Sequence, residues 1–240
     1  MPLLSQLFRT LVNLCYPPHC VGCKAETEPG SHVCDSCADG IERLERPFCE
    51  RCSDPFDGAI SQIFECPNCQ DRTIHFDHAV AAYRSTGIIR ECIHAFKYNH
   101  ARYLRGHLSA WLAEALADSR LASRPYDFFI PVPLHHIRRR EREYNQAEEL
   151  CHDLSKRTGV PTRRALKRIR NTTTQTKLDR EERMENLRGA FQVSETASVK
   201  DRHLVLVDDV FTTGSTVEEC SRVLRHAGAA SVRVICVARG

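Results

Sequence analysis

Two hydrophobic rhythms alternate along the chain. In "FDHAVAAYR", beginning at Phe76, apolar residues dominate in the manner of a strand, and Ser85-Thr86-Gly87 ends it. Ile88, Ile89, Cys92, Ile93 and Phe96 then return at helical spacing, as do Leu104, Leu108, Trp111, Leu112, Ala115 and Leu116 in a second helix. "DFFIPVP" is a short apolar strand stopped by Pro131 and Pro133, and Ala147, Leu150, Cys151 and Leu154 mark a helix starting near Asn145. Val205–Val207 and Val232–Ala238 read as strands on either side of a helix that ends at Gly228. Strands separated by helices imply an α/β domain, a mainly parallel sheet with helices on both faces.

The front of the chain follows neither rhythm for long. Leu3, Leu4, Leu7, Phe8, Leu11, Val12 and Leu14 share one face of a predicted amphipathic helix over residues 1–18. It is too interrupted for a signal peptide and too short to span a bilayer, so it is expected to dock on the protein's own core. A peripheral place at the inner face of a membrane is the alternative for such a helix. No integral membrane segment is expected.

Residues 19–72 are polar, turn-rich and punctuated by Cys20-x2-Cys23, Cys34-x2-Cys37, Cys49-x2-Cys52 and Cys66-x2-Cys69. Two thiolates two residues apart reach one ion, and two such pairs close a tetrahedral zinc site. Four pairs therefore predict two structural zinc sites, with ligands paired either sequentially or in an interleaved cross-brace. A closed four-thiolate site has no open position, so these metals should hold structure and take no part in catalysis. A redox dithiol would ordinarily be a single pair beside a βαβ unit. Cys15, Cys92, Cys151, Cys220 and Cys236 are expected to be buried small hydrophobes. Thirteen cysteines without a targeting signal point to reducing cytoplasm. The remainder, 73–240, forms the α/β domain.

A net charge of +3 conceals an uneven distribution. Residues 20–70 hold four Lys/Arg against ten Asp/Glu, and residues 135–170 hold eleven against five. "HHIRRRERE", with Arg163, Arg164, Lys167, Arg168 and Arg170, makes a polyanionic partner plausible for the middle of the chain. From charge alone the interleaved Glu141 and Glu143 favour a solvated helix face, and Tyr144 is the one aromatic available for stacking on a single strand. His135 and His136 are expected in a surface loop.

The densest chemistry lies in "LVLVDDVFTTGSTVEEC", Leu204 to Cys220. An apolar strand delivers Asp208 and Asp209 to its carboxyl end, where open α/β sheets bind ligands. Thr212-Thr213-Gly214-Ser215-Thr216 then turns into a helix whose N–H groups and hydroxyls suit a phosphate. No Gly-Lys-Ser/Thr or G-x-G-x-x-G occurs, which excludes a Walker A loop and a dinucleotide fingerprint. Two carboxylates beside a phosphate make sense if they accept hydrogen bonds from the vicinal hydroxyls of a ribose.

The two acids and "TTGST" closely resemble the phosphoribosyl pyrophosphate (PRPP) signature of type I phosphoribosyltransferases. The ordered set "CYPPHCVGC", "IHAFKY", "PVPLH", "YNQAEEL", "NTTTQTKLDREERMENLRGAF" and "LVLVDDVFTTGST" is similar to the ComF family of competence and DNA-uptake proteins. The resemblance implies a type I phosphoribosyltransferase fold behind the zinc module. Asp208, Asp209, Thr212, Thr213, Gly214, Ser215 and Thr216 would bind PRPP, with Pro133 and Leu134 at the pyrophosphate. Asn171 to Arg188 would be a loop that closes over the diphosphate, bringing Lys177, Arg180, Arg183 and Arg188. Lys177 and Arg180 with the two acids would be the catalytic set, and magnesium would accompany PRPP. Lys97, in "FKYN", is read mainly as the solvated end of a helix. Glu143 stands where the family often has glycine, and "NTTTQ" where it often has "NTPPQ"; both fall near the proposed pyrophosphate chemistry.

The resemblance implies a part in natural transformation and DNA use, with single-stranded DNA and a helicase-like protein as partners. An active transferase of nucleotide metabolism and a non-catalytic single-strand-binding accessory are the alternatives. Because the sequence stops at Gly240, directly after its last strand, any hood over an acceptor is expected from the zinc module.

Overall fold

The computed structural model describes residues 17–56, 66–70, 72–122, 125–172, 180–194 and 198–240. The predicted helix over 1–18 thus lies almost wholly outside the described residues. Four strands form the central sheet: β1 (Ala79–Arg84), β2 (Phe128–Pro131), β5 (His203–Phe211) and β6 (Ser231–Arg239). They lie in the order β1-β6-β5-β2 and every pairing is parallel, with Val80 opposite Ile235, Leu206 opposite Val234 and Ile130 opposite Leu206. The helices are α1 (Asp35–Asp39), α2 (Gly87–Tyr98), α3 (Arg105–Glu114), α4 (Ser119–Ala122), α5 (His136–Arg142), α6 (Gln146–Thr158), α7 (Arg180–Leu187) and α8 (Ser215–His226). Short β3 (Leu166–Arg168) and β4 (Phe191–Val193) pair antiparallel beside the main sheet.

The uninterrupted apolar run of β5 follows from burial on both faces. Val205 and Val207, with Ile235, face a cluster built from α2, α3 and α6, including Ile89, Phe96, Leu112, Leu150 and Leu154. Leu204 and Leu206, with Val234 and Cys236, face Val217 and Leu224 of α8, Leu187 of α7, and Leu166 and Phe191 of the β3/β4 pair. Each such side chain contributes about 1.5–3 kcal/mol on burial.

The cysteine pairs close sequentially: Cys20, Cys23, Cys34 and Cys37 form one group, Cys49, Cys52, Cys66 and Cys69 the other. The interleaved alternative is thereby excluded. Cys20 and Val33 join the cluster under α2, whereas Cys52 and Cys66 join the cluster under α8. Between the groups the chain runs along the free edge of β1, where Leu44 N–H donates to Ala82 O (2.9 Å) and Arg84 N–H to Glu42 O (3.0 Å). That edge is covered instead of being left to pair with another chain.

The last helix stops at His226, two residues before Gly228, whose φ is 90°. The β3/β4 pair was not predicted, because three-residue strands carry no measurable period. Within Asn171–Arg188, residues 180–187 are helix, held by the fully buried Leu187, while Lys177 lies outside the described residues. Among the described residues no helix is long and apolar enough to cross a membrane.

Candidate functional site

Asp208 and Asp209 stand near the carboxyl end of β5, on the floor of a cleft of about 400 Å³. Pro133 and Leu134 form one wall and Thr212 and Thr216 another. The segment after β2 is held there by its own ladder bond, Val132 N–H to Val207 O at 3.0 Å. Asp208 is partly exposed and accepts the Asp209 N–H at 2.9 Å, whereas Asp209 is buried. Burial and the neighbouring Asp209 charge push the Asp208 carboxyl up to about 7, against the pull of Lys97.

Lys97 corrects the sequence reading. It is no solvated helix end: its side chain is 17% exposed and its Nζ lies 2.6 Å from Asp209 Oδ1. Burial works against its charge, yet Asp209 and Asp208 outweigh that and hold its pKa above the ordinary value. The cause is the "YNQA" run. Tyr144 OH and Gln146 Nε2 both donate to the carbonyl of Phe96, at 2.5 and 3.2 Å, drawing the end of α2 against the cleft. Asn145 ties the same turn to the neighbouring wall through Nδ2 to Val132 O (3.0 Å) and caps α6 by accepting the Ala147 N–H (3.0 Å).

The Thr212–Thr216 loop turns into α8 through a glycine. Gly214, at φ 76°, precedes α8, and a Cβ there would run into the Phe211 ring, so the position admits glycine alone. The first turn of α8 leaves N–H groups without helical partners, pointing where an anion would sit. Thr213 and Ser215 hydroxyls lie 3.0 Å apart, and Thr212 to Thr216 enclose a small recess of about 30 Å³ adjoining Asp208.

Three arginines from the basic middle also line the cleft: Arg138 and Arg142 of α5 and Arg168 of β3. With Lys97 they set four cations against two carboxylates. For these three the solvated-face reading is wrong, because β3 and α5 converge only through long-range pairing. Arg142 lies over the Tyr98 ring and donates to Gln146 Oε1 (3.1 Å), and burial draws Arg168 below its ordinary pKa. Elsewhere the bland reading holds, since Arg139 and Arg164 both pair with Glu148. His135 is buried, not a surface residue, with Nδ1 enclosed. The side chain of Arg180, at the start of α7, is not among those described, and Arg188 is exposed.

Among the described residues, none of 19–72 lines this cleft. The second cysteine group meets the Thr212–Thr216 loop from another side, across a separate depression of about 350 Å³ bounded by Asp54, Pro67, Asn68, Thr212, Thr213 and Arg239.

Both cysteine groups suit a tetrahedral metal. Zinc with sulfur ligands at about 2.3 Å requires sulfurs about 3.8 Å apart. Cys23 and Cys34 are separated by 3.5 Å, Cys49 and Cys69 by 3.8 Å, and Cys52 and Cys66 by 3.6 Å. One sulfur in each group is drawn toward thiolate. Burial opposes ionisation of Cys20, but backbone N–H groups of Cys34, Cys23 and Gly22 bring it down to about 6. Cys49 is lowered by the thiols of Cys52 and Cys69. Cys37 is pushed up to about 12 by its contact with Cys20, and Cys66 to about 12 by burial. Four sulfurs this close cannot all ionise without a cation among them, which is what a divalent ion supplies.

The double zinc ribbon domain family matches residues 11–72, and the phosphoribosyl transferase domain family matches residues 145–240. Competence protein F of Haemophilus influenzae is 30% identical over 227 residues, which cover 92% of this chain and 96% of that protein. The DNA utilization protein YhgH of Salmonella typhimurium is 31% identical over 214 residues, 86% of this chain and 90% of its own. Competence protein ComFC of Bacillus subtilis is 25% identical over 214 residues, 85% and 82% of the two chains. The parallel sheet, the loop at its carboxyl edge and these matches agree on a type I phosphoribosyltransferase-like fold behind two four-cysteine groups, and the chain belongs to the ComF family.

Proposed function

We propose that the cleft binds PRPP, or another ribose 5-phosphate ligand, together with magnesium, and that the chain thereby takes part in DNA uptake and use. The observation that carries this reading is the convergence of Asp208, Asp209, the Thr212–Thr216 loop, Pro133 and Leu134 on one cationic cleft. The loop suits a 5-phosphate, the two acids suit ribose hydroxyls, and Arg138, Arg142 and Arg168 suit the diphosphate. Magnesium would arrive on the diphosphate and supply further positive charge there. The role in DNA uptake is supported by the names of the relatives, competence and DNA utilization proteins. A cytoplasmic place is part of the same reading, because eight of the cysteines are gathered for metal and not for disulfides.

Calorimetry with PRPP and magnesium, on the intact protein and on an Asp208→Ala, Asp209→Ala double variant, tests the site. Heat from the intact protein and none from the variant is expected. An intact, zinc-loaded protein that gives no heat would sink the assignment. Transfer chemistry is a further step, read by pyrophosphate release in the presence of candidate acceptors.

A single-stranded DNA accessory is the second reading, favoured by four arginines on the seven-residue α5 at the cleft mouth. Salt-dependent DNA binding that survives the double substitution would support it over the PRPP site.

A further inference from the structure

The two adjacent acids of the cleft are not equivalent. Asp209 is buried and its Oδ1 meets the Lys97 ammonium at 2.6 Å, whereas Asp208 is partly open to the cleft. Nothing in the family resemblance distinguishes them. The difference originates in α2, whose last turn is clamped by Tyr144 and Gln146 so that Lys97 enters the cleft floor from outside the sheet. We propose that Lys97 is a positioning residue for the site: by holding Asp209 from the end of α2, it makes that carboxylate a fixed counter-ion and leaves Asp208 as the group that answers to the ligand's hydroxyls.

The surroundings support this division. Arg142 of α5 and Arg168 of β3 act on Asp208 through space without a hydrogen bond to it among the described contacts. The Asp208 charge also reaches three thiols from three elements, Cys151 of α6, Cys220 of α8 and Cys236 of β6, all fully buried and all raised well above the ordinary thiol pKa, chiefly by burial. Neutral thiols solvate a carboxylate poorly. Lys97 is therefore the full charge in direct contact with the acid pair, and Asp208 ionises against the burial and the Asp209 charge that raise it to about 7.

The role in ligand binding rests on the reading of the acids as ribose-hydroxyl acceptors, but the division of the pair is measurable without ligand. The full-length, zinc-loaded protein is labelled with 13C at aspartate carboxyl carbons, and the Asp208 signal, assigned by its loss in Asp208→Asn, is followed against pH. In Lys97→Met the Asp208 midpoint is expected to rise by about one unit or more, a tenfold change in proton affinity, because the attractive charge has gone. Lys97→Arg should restore it to within about half a unit, which a purely structural role for the stem would not require. Asp209→Asn should lower the midpoint by about one unit or more, since the repelling charge is removed and the ammonium stays.

A Lys97→Met titration that superimposes on the unsubstituted protein overturns the proposal. If that variant does not fold, Asp209→Asn decides: an unmoved Asp208 midpoint overturns it equally. With magnesium and PRPP, Lys97→Met is expected to bind about tenfold more weakly at pH 7 and Lys97→Arg to recover most of the loss. Absence of heat from the unsubstituted protein would remove the proposed function, and the titration alone would then decide the role of Lys97.

Discussion

The two four-cysteine groups share a ligand set and a spacing, yet the sheet separates them and they serve it differently. The first group packs under the start of α2: a Cβ on Gly22 would approach Ile88 Cδ1 to 2.8 Å, and Cys20 and Val33 lie in the same cluster as Ile89. Lys97 and the cleft lie at the far end of α2 from this group. The second group, with the segment that follows it, is laced to the Thr212–Thr216 loop, α8 and the end of β6. Arg72 donates to Thr213 O (3.4 Å), His75 Nδ1 meets Glu218 Oε1 (2.5 Å), and Asp54 pairs with Arg239 (2.5 Å). Cys52 and Cys66 are buried alongside Phe76 and Phe211, the latter directly beneath Gly214. Identical metal chemistry therefore has two structural meanings, one remote from the site and one beside it.

The largest effect expected from this difference is metal loss. Cys52→Ser removes a fully buried ligand from the second group and should cost more than about 4 kcal/mol, with zinc content halved and PRPP affinity abolished. Cys23→Ser removes the exposed ligand of the first group and should also halve zinc content, while β5, α8 and ligand binding persist. Metal analysis, thermal unfolding and calorimetry on both variants check the contrast. Equal loss of binding in the two would break it.

Next in size is Asp208, on the strand between the two faces, with Cys151 in the cluster on one side and Cys220 and Cys236 in the cluster on the other. Its folded-state pKa of about 7 lies above the ordinary carboxylate value, so the native protein holds this proton more tightly than the unfolded chain. That contribution is fully present below about pH 4 and is lost as pH rises through 7. Asp208→Asn keeps the acceptor for the Asp209 N–H and cannot ionise. It should stabilise the protein by about 3–4 kcal/mol at pH 8 and by about half that at pH 5.5, while weakening PRPP binding. Urea unfolding at the two pH values is the measurement, and a gain independent of pH would contradict the assignment.

A smaller effect separates the groups at their outer ties. Asp54→Ala leaves the Arg239 guanidinium, whose side chain is 6% exposed, without its carboxylate at the edge of the Thr212–Thr216 loop. It should cost about 1–2 kcal/mol and weaken PRPP several-fold, with both zincs retained. The matching change on the other side, Arg43→Ala, breaks an exposed pair with Glu114 (2.6 Å) and should alter neither stability nor binding measurably. Paired urea and calorimetric titrations distinguish them.

What could be read from the chain and what could not follow the same physical divide. Local signals were sufficient for the four cysteine pairs, the apolar run of β5, and the Gly214 turn, because the ligand spacing, periodicity and φ requirement are each carried by a few adjacent residues. Lys97 was misread because one lysine after an apolar helix looks like any solvated end, and Arg138, Arg142 and Arg168 because charge runs look alike until the fold brings them to one cleft. "YNQAEEL" did contain a usable sign, since Asn145 is a good N-cap, but the bonds from Tyr144 and Gln146 to Phe96 join residues about fifty positions apart. Which cysteine group would lie beside the loop was likewise a matter of tertiary path, not of spacing.

The smallest effect lies on the first group's side of the sheet, in the turn that carries Tyr144 into the α2/α3/α6 cluster. Glu143 adopts φ 67° and ψ −24°, the left-handed conformation at the end of α5. This accounts for its standing where the resembling family often has glycine: the backbone geometry is kept and the side chain bears the strain. A non-glycine residue there costs about 1 kcal/mol, offset in part by the greater unfolded-state freedom of glycine. The exposed contact between His100 Nδ1 and Glu143 Oε2, at 3.4 Å, is worth less than that. Glu143→Gly should therefore raise stability by about 0.5–1 kcal/mol, with Lys97, the Asp208 titration and PRPP affinity unchanged. A loss of stability would mean that the His100 contact outweighs the backbone strain. A change in the Asp208 midpoint would mean that this turn, and not only the Phe96 clamp, sets the position of Lys97.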